Sequence, residues 1–174
     1  MKGVVIFGPM GAGKTSLAQE IAKINPQAVE ICGFGKPIRY HVNCFSKNPT
    51  REEYQKYGQT MRQMFGEDVW IRALDKHLHG WPEGYLPVID DGRQENEFLW
   101  AIEKKFVTVG VLATPEIRHK RLLDRDVCEQ RKFFQHETEI SAINMADRCD
   151  FVFYNDECGL ENVRQFAKKV MEYV

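Results

Sequence analysis

No apolar run in this 174-residue chain approaches the roughly 18 residues that a bilayer-spanning helix needs; the longest lie at residues 4–7 and 109–113. No sign of charge dominates either. The 24 Lys and Arg meet 25 Asp and Glu, a formal charge of −1, so the basic surface that general nucleic-acid binding requires is missing. The five cysteines are odd in number, widely spread and without a C-x-x-C pair, which argues against a disulfide or zinc framework. The opening MKGVVIFG runs straight into glycines and leaves no room for a signal segment, so a cytoplasmic location is expected. There is no internal repeat, low-complexity tract or linker, and the Pro/Gly-containing stretch 79–87 reads as a loop inside one domain.

What is present is the composition of one globular core, 43% hydrophobic and 28% charged. Residues 2–7 form a short β-branched run that fits a buried parallel strand, followed by a helix from Lys14 that carries Leu17, Ala18, Ile21 and Ala22 and stops at Asn25-Pro26. A second strand is expected over 28–34. A long helical stretch from Thr50 follows, with Tyr54, Tyr57, Met61, Met64 and Phe65 as its apolar face and a break at Gly66-Glu67-Asp68. Then come a strand over 85–89 ending on Asp90-Asp91, a helix over 95–105, a strand over 106–113, a helix from Pro115, a strand over 150–154 and a last helix over 160–173. Strands alternating with helices imply an α/β fold on a parallel sheet.

Gly8-Pro9-Met10-Gly11-Ala12-Gly13-Lys14-Thr15 matches G-x-x-x-x-G-K-[ST] in full, between a strand and a helix. In such a P-loop the backbone N–H groups of Gly8, Met10, Gly11, Ala12, Gly13 and Ser16 surround phosphate oxygens, Lys14 reaches the β and γ phosphates, and Thr15 ligates magnesium. ATP and Mg2+ are the expected cofactors. The N-K-x-D guanine-reading motif of GTPases is absent, and the D-x-x-G at Asp156-Glu157-Cys158-Gly159 is read as chance because it follows the last strand. The chain is also read as too short for a helicase or AAA core with its helical lid.

Asp91, at the C-terminal end of a strand where α/β sheets bind ligands, is the expected metal carboxylate, with Arg93 facing the same crevice. Glu95 and Asn96 read as helix caps. The string Asp91-Gly92-Arg93-Gln94-Glu95-Asn96-Glu97 resembles the D-x-R-x-x-N-E segment of the deoxynucleoside monophosphate kinases first known from bacteriophages. Phe34-Gly35-Lys36-Pro37-Ile38-Arg39 is similar to that family's segment after the second strand, Tyr57-Gly58 with Arg62 and Gly66–Ile71 to its substrate helices, and Arg118, Arg121 and Arg125 with His136-Glu137-Thr138-Glu139 to its lid and the element after it. The matches run from Val4 to about Leu160. Asp90 stands where the family pattern would be served by a small or apolar residue.

The resemblance implies a three-layer P-loop NTPase fold with a core at about 1–35, 84–114 and 140–174, a monophosphate-binding insert at about 36–80 and a lid at about 115–137. It implies that Arg39 and Arg62 grip the acceptor's α-phosphate. Phe34 and Trp70 are candidates to stack on its base, Asp90 and Glu97 join Arg93 on the acceptor side, and Tyr54 is expected in the core. Arg118, Arg121 and Arg125 lie at i, i+3 and i+7 on one helix face and are expected to act in the transition state. Asn155, after the last strand, is expected near the adenine. A hydroxyl acceptor needs a carboxylate base, whereas Glu30-Ile31-Cys32-Gly33-Phe34-Gly35 is followed only by bases, so a phosphate acceptor is favoured. The expected function is transfer of the γ-phosphoryl of MgATP to a nucleoside or deoxynucleoside monophosphate. A small-metabolite kinase resembling phosphomevalonate kinase and a non-catalytic ATP-binding regulatory module are the alternatives. Base, sugar and oligomeric state stay open, a homodimer included.

Overall fold

A computed structural model of the protein describes residues 2–124, 137–157 and 159–174. The expected site residue Arg125, together with His136, lies outside the described residues, as do the side chains of Glu137, Thr138 and Glu139.

Val4–Phe7 (β1) has no exposed residue, because both of its faces are covered: Val5 and Phe7 point into one core cluster and Val4 and Ile6 into the other. It is the central strand. Val29–Cys32 (β2), Leu86–Gly92 (β3), Val107–Leu112 (β4) and Phe151–Tyr154 (β5) complete an all-parallel sheet of order β2-β3-β1-β4-β5. Lys14–Ile24 (α1) covers one face through Leu17, Ala18 and Ile21, alongside the C-terminal helix Glu161–Met171, which contributes Val163, Ala167 and Val170. The other face is closed by Phe98, Trp100 and Ala101 of one helix and Ala142 and Met145 of another.

Between β2 and β3 lie three helices, Lys36–Phe45 (α2), Arg51–Phe65 (α3) and Val69–Leu78 (α4). Thr50 starts α3 with a reciprocal capping box, its hydroxyl accepting from Glu53 N at 3.2 Å while Glu53 Oε2 accepts from Thr50 N at 2.6 Å. Gly66, at φ 92°, ends it. α2 was not expected from the sequence: its buried register is only Val42 with partly buried Ile38, and Pro37 sits in its first turn, where a missing N–H does no harm. The remaining helices are Glu95–Glu103 (α5), Pro115–Leu123 (α6), Glu137–Ala146 (α7) and Glu161–Met171 (α8). α7 was not separated in the sequence from the helix that begins at Pro115. It lies so close to β4 that a Cβ on Gly110 would collide with the Ala146 carbonyl.

On α3, Tyr57 and Met61 pack against the core as expected, but Met64 and Phe65 are exposed. No helix among the described residues is long and apolar enough to cross a membrane.

Candidate active site

All site segments follow the C-terminal ends of strands, where a parallel sheet leaves unpaired backbone groups and helix N-termini. After β1, Gly8, Gly11 and Gly13 have φ of 145°, 79° and 108° and curl the chain into a loop that opens α1. Gly13 is doubly constrained, since a Cβ there would also strike Asn155 Nδ2. Lys14 is buried, with its ammonium donating to Gly8 O at 2.6 Å and Pro9 O at 3.0 Å. The loop residues Met10, Gly11, Gly13, Lys14, Thr15 and Ser16 line a cleft of about 180 Å³ together with Arg39, Asp90, Asp91 and Arg93.

The acidic pair divides in a way the sequence reading did not anticipate. Thr15 Oγ1 donates to Asp90 Oδ2 at 2.8 Å, so the carboxylate facing the expected magnesium-binding hydroxyl is Asp90. Asp91, the expected metal carboxylate, instead accepts from Phe34 N and Gly35 N, both at 2.9 Å, and lies 3.7 Å from Arg39. The reason is strand alternation: Val88 packs on the α1 side of the sheet and Ile89 on the other, and Asp90 and Asp91 continue that pattern. β3 also carries one residue more than β1 between the pairs Val5–Ile89 and Phe7–Gly92, an irregularity at the strand end where the two carboxylates sit. Burial raises the Asp91 pKa, aided by the neighbouring Asp90 charge and opposed by the two N–H donors.

A larger cavity, about 460 Å³, opens between β3 and the helical insert. Arg39, Arg51, Arg62 and Arg93 line it with Phe34, Tyr54, Gln55 and Gly58, and among the described residues its acidic lining is Asp91 and Glu97. Arg62 Nε is buried there with no hydrogen-bond partner among the described residues. Glu97 is 4% exposed and accepts from Arg93 N at 2.8 Å and Gln94 N at 3.0 Å, so it fixes the turn that carries Arg93 while capping α5. Asn96, expected as a cap, ties α5 to the start of α4 by donating to Asp68 Oδ1 at 2.8 Å.

Burial pushes the Glu97 pKa up to about 7, against the pull of the Arg93 and Gln94 N–H groups and with the Asp91 charge adding to the rise. The folded protein therefore holds a proton at Glu97 that the unfolded chain, with the ordinary glutamate pKa of 4.5, has released. Stability from this proton is fully present below pH 4.5 and is lost as pH climbs through about 7, a difference of about 3 kcal/mol. Glu97→Gln keeps an acceptor for both N–H groups, so urea unfolding of this variant is expected to lose that slope between pH 5 and 7. An unchanged slope would place the titration elsewhere.

Two aromatic assignments change. Trp70 is core, not a base-stacking surface: it is 4% exposed and its indole Nε1 donates to Gly58 O at 3.2 Å, joining α4 to α3. Tyr54, expected in the core, lines the cavity and donates from its hydroxyl to Asn43 Oδ1 at 2.7 Å. Phe34 borders the cavity but is 3% exposed and belongs to the core, its ring held edge-on to Trp100 at 5.6 Å. Arg51 and Gln55 were missed, yet the signal was present: residues 51, 54, 55, 58 and 62 fall on one face of α3.

Arg118 and Arg121 of α6 do not line the cleft that holds Lys14 and Thr15. Arg118 is 3% exposed and donates from Nε to Met10 O at 2.8 Å, behind the P-loop. Arg121 spans from Ala12 O at 3.3 Å to Asn155 Oδ1 at 3.4 Å, and Asn155 Nδ2 donates to Ala12 O at 2.8 Å. Arg121 and Asn155 line a separate cavity of about 410 Å³ with Gly11, Gly13, Ser16, Ile117 and Lys120. Asp156, read as chance in the sequence, accepts from Thr114 N at 2.6 Å beside the start of α6.

A family model described as AAA domain (AAA_18) matches residues 4–143. The chain belongs to this AAA domain family.

Among solved structures, the AAA domain chain is similar to a gluconokinase from Sinorhizobium meliloti 1021 (TM-score 0.60, 13% identity, covering 99% of this chain and 92% of that one). It is similar to shikimate kinase from Acinetobacter baumannii in complex with shikimate (0.53, 16%, covering 99% and 91%). The third is the Mycobacterium tuberculosis APS kinase in complex with AMPPNP and APS (0.54, 12%, covering 98% and 95%). At these identities the likeness establishes the fold alone, the parallel α/β P-loop fold that these three kinases share. No curated protein sequence matches significantly.

Proposed function

We propose that this chain is an ATP-dependent kinase that transfers the γ-phosphoryl of MgATP to the phosphate of a nucleoside or deoxynucleoside monophosphate. The observation that carries the reading is the cavity beside the P-loop, which four arginines line and where the carboxylates of Asp91 and Glu97 are engaged by backbone N–H groups. A phosphate acceptor arrives ionised and needs charge and alignment, which arginines supply, more than it needs a base. Donor residues fit the implied cofactor: Thr15 and Asp90 offer paired hard oxygens for magnesium, and Lys14 lies at the head of the loop. When bound, magnesium supplies charge to the β and γ oxygens. Asn155 and Arg121 would flank the adenine, and Asp91 would order the 33–35 turn toward the acceptor.

A hydroxyl acceptor is the second reading. Asp91 favours it, because this carboxylate lines both clefts and burial raises its pKa toward that of a base. Coupled ADP release over the eight common (d)NMPs, followed by 31P NMR of the product, decides between them. A diphosphate product supports phosphate transfer, and a new monoester or no response to any monophosphate sinks it.

Arg62 gives a sharper test. Its guanidinium lines the cavity and forms no ion pair with Glu67, so a contact with the acceptor's α-phosphate would be held alike before and during transfer. Arg62→Ala should raise the acceptor KM by about 1.5–3 kcal/mol of lost binding and leave the ATP KM nearly unchanged. An unchanged acceptor KM on folded protein would remove Arg62 from the site.

A further inference from the structure

Arg118 sits where a transition-state arginine was expected, yet it reaches the wrong side of the P-loop for that task. Its Nε–H is bonded to the carbonyl of Met10 at 2.8 Å, and the residue is nearly fully buried. The loop also lies flush on α6: a Cβ at Gly11 would come within 2.9 Å of Arg118 O and 3.2 Å of its Cα.

A trans peptide unit points its C=O and its N–H in opposite directions. Holding Met10 O outward against α6 therefore aims the next N–H, that of Gly11, inward toward the phosphate cleft that Gly11 lines. The same device recurs one peptide pair on, where Asn155 Nδ2 and Arg121 hold Ala12 O and so turn Gly13 N inward. A cation on a carbonyl oxygen also polarises the peptide and strengthens its N–H as a donor.

We propose that Arg118 is a positioning residue for the donor phosphates: through Met10 O it sets the direction and strength of the Gly11 N–H without touching nucleotide. The inference rests on reading residues 8–15 as the donor phosphate loop.

The test separates phosphate binding from base binding on the intact chain. Inorganic tripolyphosphate and adenosine are used as competitors of MgATP with wild-type protein, Arg118→Met and Arg118→Lys, with thermal melting of each. Arg118→Met should raise the tripolyphosphate inhibition constant roughly tenfold, the scale for losing one charge-assisted hydrogen bond, while the adenosine constant moves less than about twofold. Arg118→Lys keeps the charge and should fall between. Parallel losses for both competitors, or no loss for either, overturn the inference, because Arg118 would then be a packing element or idle. Loss of folding at assay temperature in both variants overturns it in the same way. Failure of the wild-type protein to bind tripolyphosphate or ATP at all would instead remove the donor-loop reading itself.

Discussion

Lys14→Ala is expected to lower kcat by about 10² to 10³, with good and poor acceptors alike. The ammonium is the first side chain of α1, and it is already delivered to the head of the loop by its bonds to Gly8 O and Pro9 O. A charge held there at no cost in reorganisation acts on the negative charge that develops between the β and γ phosphates, which is an effect on the transition state more than on ground-state binding. Because acceptor contacts come from other elements, the acceptor KM should hardly change. Stopped or steady-state ADP release on folded protein checks this, and a variant whose defect is confined to KM would show that Lys14 is only a binding contact.

The largest loss should come from Arg93→Ala. Arg93 lines both the cleft at the P-loop and the larger cavity beside it, and on the proposed reading this is the position from which a guanidinium would span donor and acceptor during transfer. Its main chain is pinned by Glu97, so the side chain starts from a fixed root. An arginine that neutralises a transferring phosphoryl group contributes about 10³ to 10⁵ in kcat, and Arg93→Lys should recover only part, since a lysine cannot bridge two oxygens in one plane. A fall of less than tenfold would reduce Arg93 to an ordinary acceptor contact and leave the transition-state role to an arginine C-terminal to α6.

Much of this site could be read from the chain. The P-loop was legible because its glycines, lysine and threonine have no other common use in that order between a strand and a helix, and the sheet was legible from the alternation of short apolar runs with helical ones. The division of Asp90 and Asp91 was equally available: Val88 and Ile89 must face opposite sides of a doubly covered sheet, and counting on by one puts Asp90 on the α1 side with Thr15. The strand-end position alone pointed instead to Asp91. The α6 arginines failed for a different reason. Helical spacing says that Arg118 and Arg121 share a face but not what the face meets, and here it meets the outer carbonyls of the P-loop. Trp70 and Tyr54 exchanged places because aromatics at helix spacing serve core and cavity equally well, and only the packing of α3 on α4 distinguishes them.

The connection from β2 to β3 has two parts with separable duties. Parallel neighbours need one helix to carry the chain back along the sheet, and α4 does this, burying Trp70, Ile71, Leu74 and Leu78 against it. α2 and α3 are an excursion made before that return, resting on α4 through the Trp70–Gly58 bond and through Ile38, Tyr57 and Met61. Three of the four cavity arginines ride on this excursion, whereas the P-loop, Asp90 and Arg93 belong to the sheet. If the proposed reading holds, acceptor preference would sit on a separable cassette: residues 36–65 could be exchanged for another pair of helices while the sheet-borne P-loop, Asp90 and Arg93 stay in place.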